Sequence, residues 1–287
     1  MSPRLRRETA PARPRQSPAA SDSGRRRARR RFGQHFLAAA WADKVIAAIG
    51  ARPSDHFLEI GPGPGILTTR LAARARHVTA IEIDRDLAAG LKGMAARNVA
   101  VVEADILEFD LGPLLSSGPL RVAGNLPYNI SSPILFKLLS ASRQHPDLLD
   151  ATVMLQREVA ERLTARPGTR DYGVLTIFAA LQADVKGLLT LPPGAFRPPP
   201  QVHSAVVRLT FKPSVLPEGA DASFERMVRT MFMQRRKTLS NALRPFAESA
   251  GRDAVSALGR AGIDPVRRPE TLDQSDLLRL LAAFNEP

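Results

Sequence analysis

Five short apolar runs limit what this chain can fold into. They are "HFLEI" (residues 56–60), "HVTAIEID" (77–84), "VAVVEAD" (99–105), "LRVAGN" (120–125) and "DATVMLQ" (150–156). Turn residues and helical stretches separate them, and strand, turn and helix recurring at this spacing predict an α/β fold with a doubly wound, mostly parallel sheet. The pattern places helices near 64–74 and from Arg85 to about Ala96, the second capped by Asp84. Ser131 is placed to cap a third, with Pro133 in its first turn. Two later runs, "DVKGLLTL" (184–191) and "SAVVRLTF" (204–211), flank the stiff stretch "PPGAFRPPPQ" and read as antiparallel strands at a sheet edge. Beyond "KPSVLPEGA" (212–220) the pattern is helical, which predicts a small all-α C-terminal domain. The expected divisions are an extension at 1–31, an α/β domain at 32–212 and a helical domain at 213–287.

Composition removes several classes of function. The chain has no cysteine, so it holds neither a disulfide framework nor a thiolate metal site. Its five histidines (His35, His56, His77, His145 and His203) show no metal-ligand spacing, and no metal is expected. Pro, Arg or Asp interrupts every apolar stretch before it reaches the length of a membrane span, so no membrane partner is expected and the cytoplasm is the default location.

The net charge of +13 is concentrated at one end, because residues 1–31 contain eleven arginines against only Glu8 and Asp22. That segment, rich in Arg, Pro, Ser and Ala, has too few apolar residues to offset the entropy of ordering and reads as disordered. It suits a solvated extension or a phosphate-binding arm equally. A transit peptide is a third reading, although no clear amphipathic run supports it.

The first chemical motif is "EIGPGPGILT" (59–68). Gly61, Gly63 and Gly65 follow a strand and open a helix, so the backbone can turn tightly and let a ligand approach where a Cβ would block it. A dinucleotide fingerprint needs its last glycine one position later, where this chain has Ile66. Glu82, after the second strand, can take both ribose hydroxyls of an adenosine-containing cofactor. Asp105, after the third, can accept from an adenine amine, with a turn cap as its plainer role. The three together favour S-adenosylmethionine over a nicotinamide.

The second motif, "NLPYNISSP" (125–133), stands where a parallel strand would end, which is where open α/β sheets hold ligands. An adenine amine is a poor nucleophile because its lone pair is delocalised into the ring. If the Asn125 side-chain oxygen and the Leu126 carbonyl both accept from that amine, the nitrogen is drawn toward tetrahedral geometry and its lone pair is freed. Pro127 fixes φ and stiffens the turn. Tyr128 offers a ring for the base to stack on, worth about 1–3 kcal/mol. A polar turn with an incidental tyrosine is the plainer reading, and the glycine motif upstream argues against it.

"RFGQHFL" (31–37), "EIGPGPGILT", "IEID", "EADIL", "NLPYNISSP", "FRPPPQVHSAVVRL" (196–209) and "MQRRKTLSNAL" (233–243) occur in an order that resembles the ribosomal RNA adenine dimethyltransferase family, from about residue 31 to the end. The resemblance implies a class I, Rossmann-like methyltransferase fold. It also implies dimethylation of two adjacent adenosines near the 3′ end of small-subunit ribosomal RNA, in an immature 30S subunit; a monomer is expected, although the sequence does not fix the oligomeric state. His35 and Leu37 would border the cofactor with Gly61, Glu82, Asp105 and Asn125, and Phe196 would close the face of the base opposite Tyr128. The first 30 residues have no counterpart in the family's core pattern.

In the helical C-terminal segment, Arg226, Arg229, Arg235, Arg236, Lys237 and Arg244 form a basic group. Any one of them reads as a solvated helix face; as a group beside this chemistry they read as phosphate contacts on folded RNA. Three other readings remain at this point. They are a large-subunit methyltransferase conferring antibiotic resistance, a non-catalytic assembly or mitochondrial transcription factor, and a nicotinamide oxidoreductase.

Overall fold

The structure is a computed structural model that describes residues 34–285, so the Arg-rich extension at 1–31 lies outside the described residues. The first elements are β1 (Phe36–Leu37), α1 (Ala39–Ile49), β2 (His56–Ile60), α2 (Thr68–Ala72), β3 (His77–Glu82), α3 (Arg85–Met94), β4 (Val99–Glu103), α4 (Gly112–Leu115) and β5 (Leu120–Asn125). Then come α5 (Ser131–Gln144), β6 (Leu148–Gln156), α6 (Arg157–Leu163), α7 (Val174–Gln182), β7 (Ala183–Leu191), β8 (Phe196–Arg197) and β9 (Ser204–Phe211). The C-terminal helices are α8 (Asp221–Met233), α9 (Leu239–Ser249), α10 (Ala254–Arg260) and α11 (Gln274–Asn285).

The seven-stranded sheet has the order β4-β3-β2-β5-β6-β9-β7. The first five strands are parallel, and β9 runs antiparallel to both β6 and β7. The sheet grows outward in both directions from β2, so the crevice at the C-terminal ends of β2 and β5 is a topological switch point. Alternation along the strands sends Phe57 and Ala123 to one buried cluster and Leu58 and Val122 to the other. The second of these clusters continues into α8–α11: Phe178 on α7 meets Phe136 on α5 at 6.1 Å and Phe224 on α8 at 5.8 Å, both edge to face. From His35 on, the described residues form one compact unit.

Two local expectations change. The helix expected near 64–74 is only five residues long, because residues 61–67 are used in a glycine turn. Ser131 does not cap α5; the helix begins at Ser131 itself, so its hydroxyl lies within the first turn and donates to Tyr128 O at 3.2 Å. Asp84 does cap α3, accepting from Asp86 N at 3.0 Å and Leu87 N at 3.3 Å. The expected edge pair is β7 and β9, with β7 outermost. The Pro-rich loop between them carries β8, which pairs antiparallel with β1 through Phe36↔Arg197 and Leu37↔Phe196.

Candidate active site

The parallel register brings Ile60, Ile81 and Gly124 side by side, and the chain leaves the sheet just beyond each. Gly61, Gly63 and Gly65 take φ of +65°, +56° and +85°, the left-handed region that disfavours any side chain. At Gly63 a Cβ would lie 3.0 Å from the Phe36 ring, so the turn packs directly under β1. Gly124 is tighter still: its Cβ would stand 2.5 Å from the Ile60 carbonyl oxygen. Sequence reasoning missed Gly124, although a glycine inside an apolar strand signals a close backbone approach.

Beyond these strand ends lies a cleft lined by Phe36, Leu37, Glu59, Gly61, Ile66 and Asn125, among others. Glu82 is buried against the glycine turn, with Oε2 accepting from Gly63 N at 2.9 Å and Oε1 from Asp84 N at 3.0 Å. Burial pushes its pKa up, against the pull of those N–H groups. Its carboxylate is thereby aimed, and each oxygen keeps acceptor capacity for a ribose hydroxyl.

Glu59 is the functional candidate that sequence reasoning overlooked. It is 1% exposed, and Oε2 has no hydrogen-bond partner among the described residues. Burial pushes its pKa up to about 7; Thr68 acts against this and the nearby Glu82 adds to it. The signal was an acidic residue inside a strand buried on both faces, which occurs rarely without a partner. A buried carboxylate with an unpartnered oxygen, on a residue that lines the cleft, suits a cation, and the α-ammonium of S-adenosylmethionine is such a group. The glycine cradle and this orphaned oxygen fit that cofactor.

Asn125 is held in one orientation. Its Nδ2 donates to His35 O at 2.7 Å, and its Oδ1 is buried with no hydrogen-bond partner among the described residues. Leu126 buries its side chain in the core, and its carbonyl accepts no hydrogen bond among the described residues. Pro127 O accepts from Ile130 N at 3.1 Å, which closes the turn that carries both groups. The Tyr128 hydroxyl lies 2.6 Å from Ser204 Oγ, and burial raises its pKa.

Several expected placements need correction. The His35 ring stacks on Tyr128 at 5.4 Å and 27°, with Nδ1–H donating to Pro198 O at 2.8 Å, while its main-chain oxygen reaches the cleft through Asn125. Phe196 does not present a face to a base. Strand pairing with Leu37 pulls its ring into the core, where it is 0% exposed. Asp105 uses Oδ1 to accept from Leu107 N at 2.8 Å, the turn-cap role, leaving only its other oxygen toward solvent or ligand. Leu37 lines the cleft.

The basic group divides in the same way. Arg235 is committed: its guanidinium donates to Arg170 O at 2.6 Å and Thr169 O at 2.8 Å and pairs with Glu270 at 3.2 Å. It ties the 166–173 loop to the C-terminal helices and is withdrawn from the RNA-binding set. Arg226 lies over the Phe246 ring at 5.4 Å; Arg229 pairs with Glu225 at 2.7 Å and lies over Phe136 at 4.8 Å. Arg244 donates to Asn241 Oδ1 at 3.1 Å. Arg236 and Lys237 are exposed, and their side chains carry no hydrogen bond or ion pair among the described residues.

A family model described as "Ribosomal RNA adenine dimethylase" matches residues 25–285. The ribosomal RNA small subunit methyltransferase A of Acidithiobacillus ferrooxidans is 42% identical over 269 residues, 92% of this chain and 97% of that protein. Its namesake in Nitrosococcus oceani is 46% identical over 259 residues, 88% of this chain and 95% of that protein. Among solved structures, a dimethyladenosine transferase from Plasmodium falciparum superposes with a TM-score of 0.73 at 30% identity, over 88% of this chain and 98% of that one. The 23S rRNA methyltransferase ErmE gives a TM-score of 0.61 at 29% identity, over 88% of this chain and 100% of that one. The protein described here belongs to the ribosomal RNA adenine dimethylase family.

Proposed function

We infer that this protein transfers methyl groups from S-adenosylmethionine to the N6 nitrogens of adenosines in small-subunit ribosomal RNA, two to each. The acceptors are two adjacent adenosines near the 3′ end, in an immature 30S subunit. The observation that carries this reading is Asn125: a carboxamide whose nitrogen is tied to His35 O and whose buried oxygen has no partner among the described residues, at the end of β5.

The placements support the following roles. Glu59 would hold the cofactor's ammonium, Glu82 its ribose, and Gly61, Gly63 and Gly65 would let it lie against the backbone. Asp105, through its uncommitted oxygen, would meet the adenine of the cofactor. When bound, S-adenosylmethionine supplies a methyl carbon on positively charged sulfur, open to in-line attack. Asn125 Oδ1 and Leu126 O accept from the target amine and localise its lone pair. Tyr128 stacks on the target base and offsets part of the few kcal/mol, in order of magnitude, needed to extrude it. The transferred carbon ends on nitrogen, and the resulting ammonium loses its proton to water. Holding donor and acceptor about 3–3.5 Å apart supplies most of the acceleration.

Residues 32–212 would carry this chemistry, and residues 213–287 would dock the rRNA through exposed Arg226, Arg229, Arg236, Lys237 and Arg244. The Arg-rich extension would serve as an arm on phosphates. Among the described residues no helix is long and apolar enough to cross a membrane. A monomer working in the cytoplasm is the assembly and place this reading expects.

Identity of 42–46% to small-subunit enzymes, against 29% to a large-subunit one, favours the small subunit as substrate. Mass spectrometry of adenosines from unmethylated small subunits, after incubation with protein and cofactor, tests the reading. Dimethyladenosine with the wild type and its loss with Asn125→Ala is the expected result; full activity in Asn125→Ala and Tyr128→Ala together would overturn it.

A further inference from the structure

Tyr128 is held from two sides by side chains that have had no part in the reaction so far. Its hydroxyl lies 2.6 Å from the Oγ of Ser204, which is 0% exposed at the start of β9. Ser204 cannot drift, since β9 pairs there with both neighbours, through Gln156↔Ser204 and Leu191↔Ser204. On one face the ring meets the His35 imidazole at 5.4 Å, and that imidazole is anchored by Pro198 O at 2.8 Å. A buried phenol needs some hydrogen-bond partner. A second restraint on the ring itself goes beyond that need.

The two methyl transfers do not lean on this ring equally. An unmodified adenine amine has two N–H groups, one for Asn125 Oδ1 and one for Leu126 O. After one transfer the amine keeps a single N–H, so the same two acceptors can hold it by only one hydrogen bond. Stacking does not depend on the protons of N6. In the second transfer the position of the base therefore rests more heavily on Tyr128 and on whatever fixes Tyr128.

We propose that Ser204 and His35 are positioning residues that immobilise the Tyr128 ring, and that this hold chiefly serves the second methyl transfer. The inference rests on the functional reading above, in which Asn125 and Leu126 receive the amine.

The test uses the full chain with unmethylated small subunits, and mass spectrometry to follow N6-methyladenosine and N6,N6-dimethyladenosine through time. At equal total methylation, Ser204→Ala is expected to raise the ratio of monomethyl to dimethyl product about fivefold, the rate equivalent of one ordinary hydrogen bond. Tyr128→Phe, which removes the same bond and keeps the ring, reproduces the shift, and Ser204→Thr restores the wild-type ratio. Cofactor binding, read by titration calorimetry, is unchanged in all three. Should Ser204→Ala fail to fold, Tyr128→Phe decides. A wild-type ratio in the active variants overturns the inference alone; absence of methyladenosine from the wild-type reaction overturns the functional reading and the inference with it.

Discussion

Asn125 Nδ2 donates to the main-chain oxygen of His35 at 2.7 Å, and that bond decides which way the carboxamide faces. A carbonyl can only accept, so the nitrogen must point at His35 and the oxygen must point away from it. Asn125→Asp removes the donor and sets a carboxylate against the carbonyl. The expected outcome is a fall in kcat of roughly 10²–10³-fold in single-turnover methyl transfer, the cost typical of one lost transition-state hydrogen-bonding group. Cofactor binding, read by titration calorimetry, should persist. Loss of cofactor binding in step with activity would remove Asn125 from the chemistry.

Glu59 sets a pH dependence of stability. Its carboxyl titrates near 4.5 when unfolded and about 7 when folded, so the folded state disfavours the ionised form. The cost is absent below pH 4.5, grows as pH rises through that window and is complete above 7. There it is on the order of 3 kcal/mol. Glu59→Gln stays neutral, so in the absence of cofactor its Tm should exceed that of the wild type above pH 7 and converge with it near pH 4.5. The same change should weaken cofactor binding by removing the partner for the ammonium. A Tm difference independent of pH would refute the assignment.

Gly124→Ala should destabilise the protein by more than about 2 kcal/mol, because the added Cβ meets the Ile60 carbonyl oxygen at 2.5 Å and neither sheet strand can yield. Denaturant midpoints report it directly. A near-neutral result would mean that β2 and β5 separate more easily than their register implies.

Arg235 and its neighbours should behave oppositely. Arg235→Ala loses two carbonyl contacts and Glu270, and the expected result is a lower Tm with an unchanged salt dependence of small-subunit binding. Replacing Arg236 and Lys237 together by Ala should leave Tm in place and reduce the slope of log affinity against log salt by roughly 1.5. An unchanged slope in the double variant would exclude these two side chains as phosphate contacts.

Phe196→Ala opens a cavity in the core beneath the β1–β8 ribbon and should cost about 3–5 kcal/mol by denaturant unfolding. A ring that served only to stack on a ligand would cost little stability.

Much of the architecture was legible in the chain because period-two and helical patterns report burial directly. The strands at 56–60, 120–125 and 204–211 stand where apolar runs meet turn residues. Asp84 caps α3 because a short acid before a helix has one obvious use. Residues whose roles depend on sequence neighbours, such as Gly61, Gly63 and Gly65 in their positive-φ turn, were legible for the same reason.

What stayed hidden were relations between segments far apart in the chain. Nothing local to "GQHFL" shows that the His35 carbonyl orients Asn125, 90 residues on, while its ring lies against Tyr128. The resemblance sets Phe196 against the target base, and only the pairing of β1 with β8 draws it inward. Arg235 and Arg236 are adjacent and chemically identical, yet only the packing of the 166–173 loop decides that one is consumed and the other free. Local sequence determined the strands, the turns and the types of group at their ends, since short-range sterics and burial periodicity act within a few residues. Tertiary structure alone decided which lone pairs were left without partners, since a hydrogen bond made by one distant segment is what withholds a group from, or offers it to, the site.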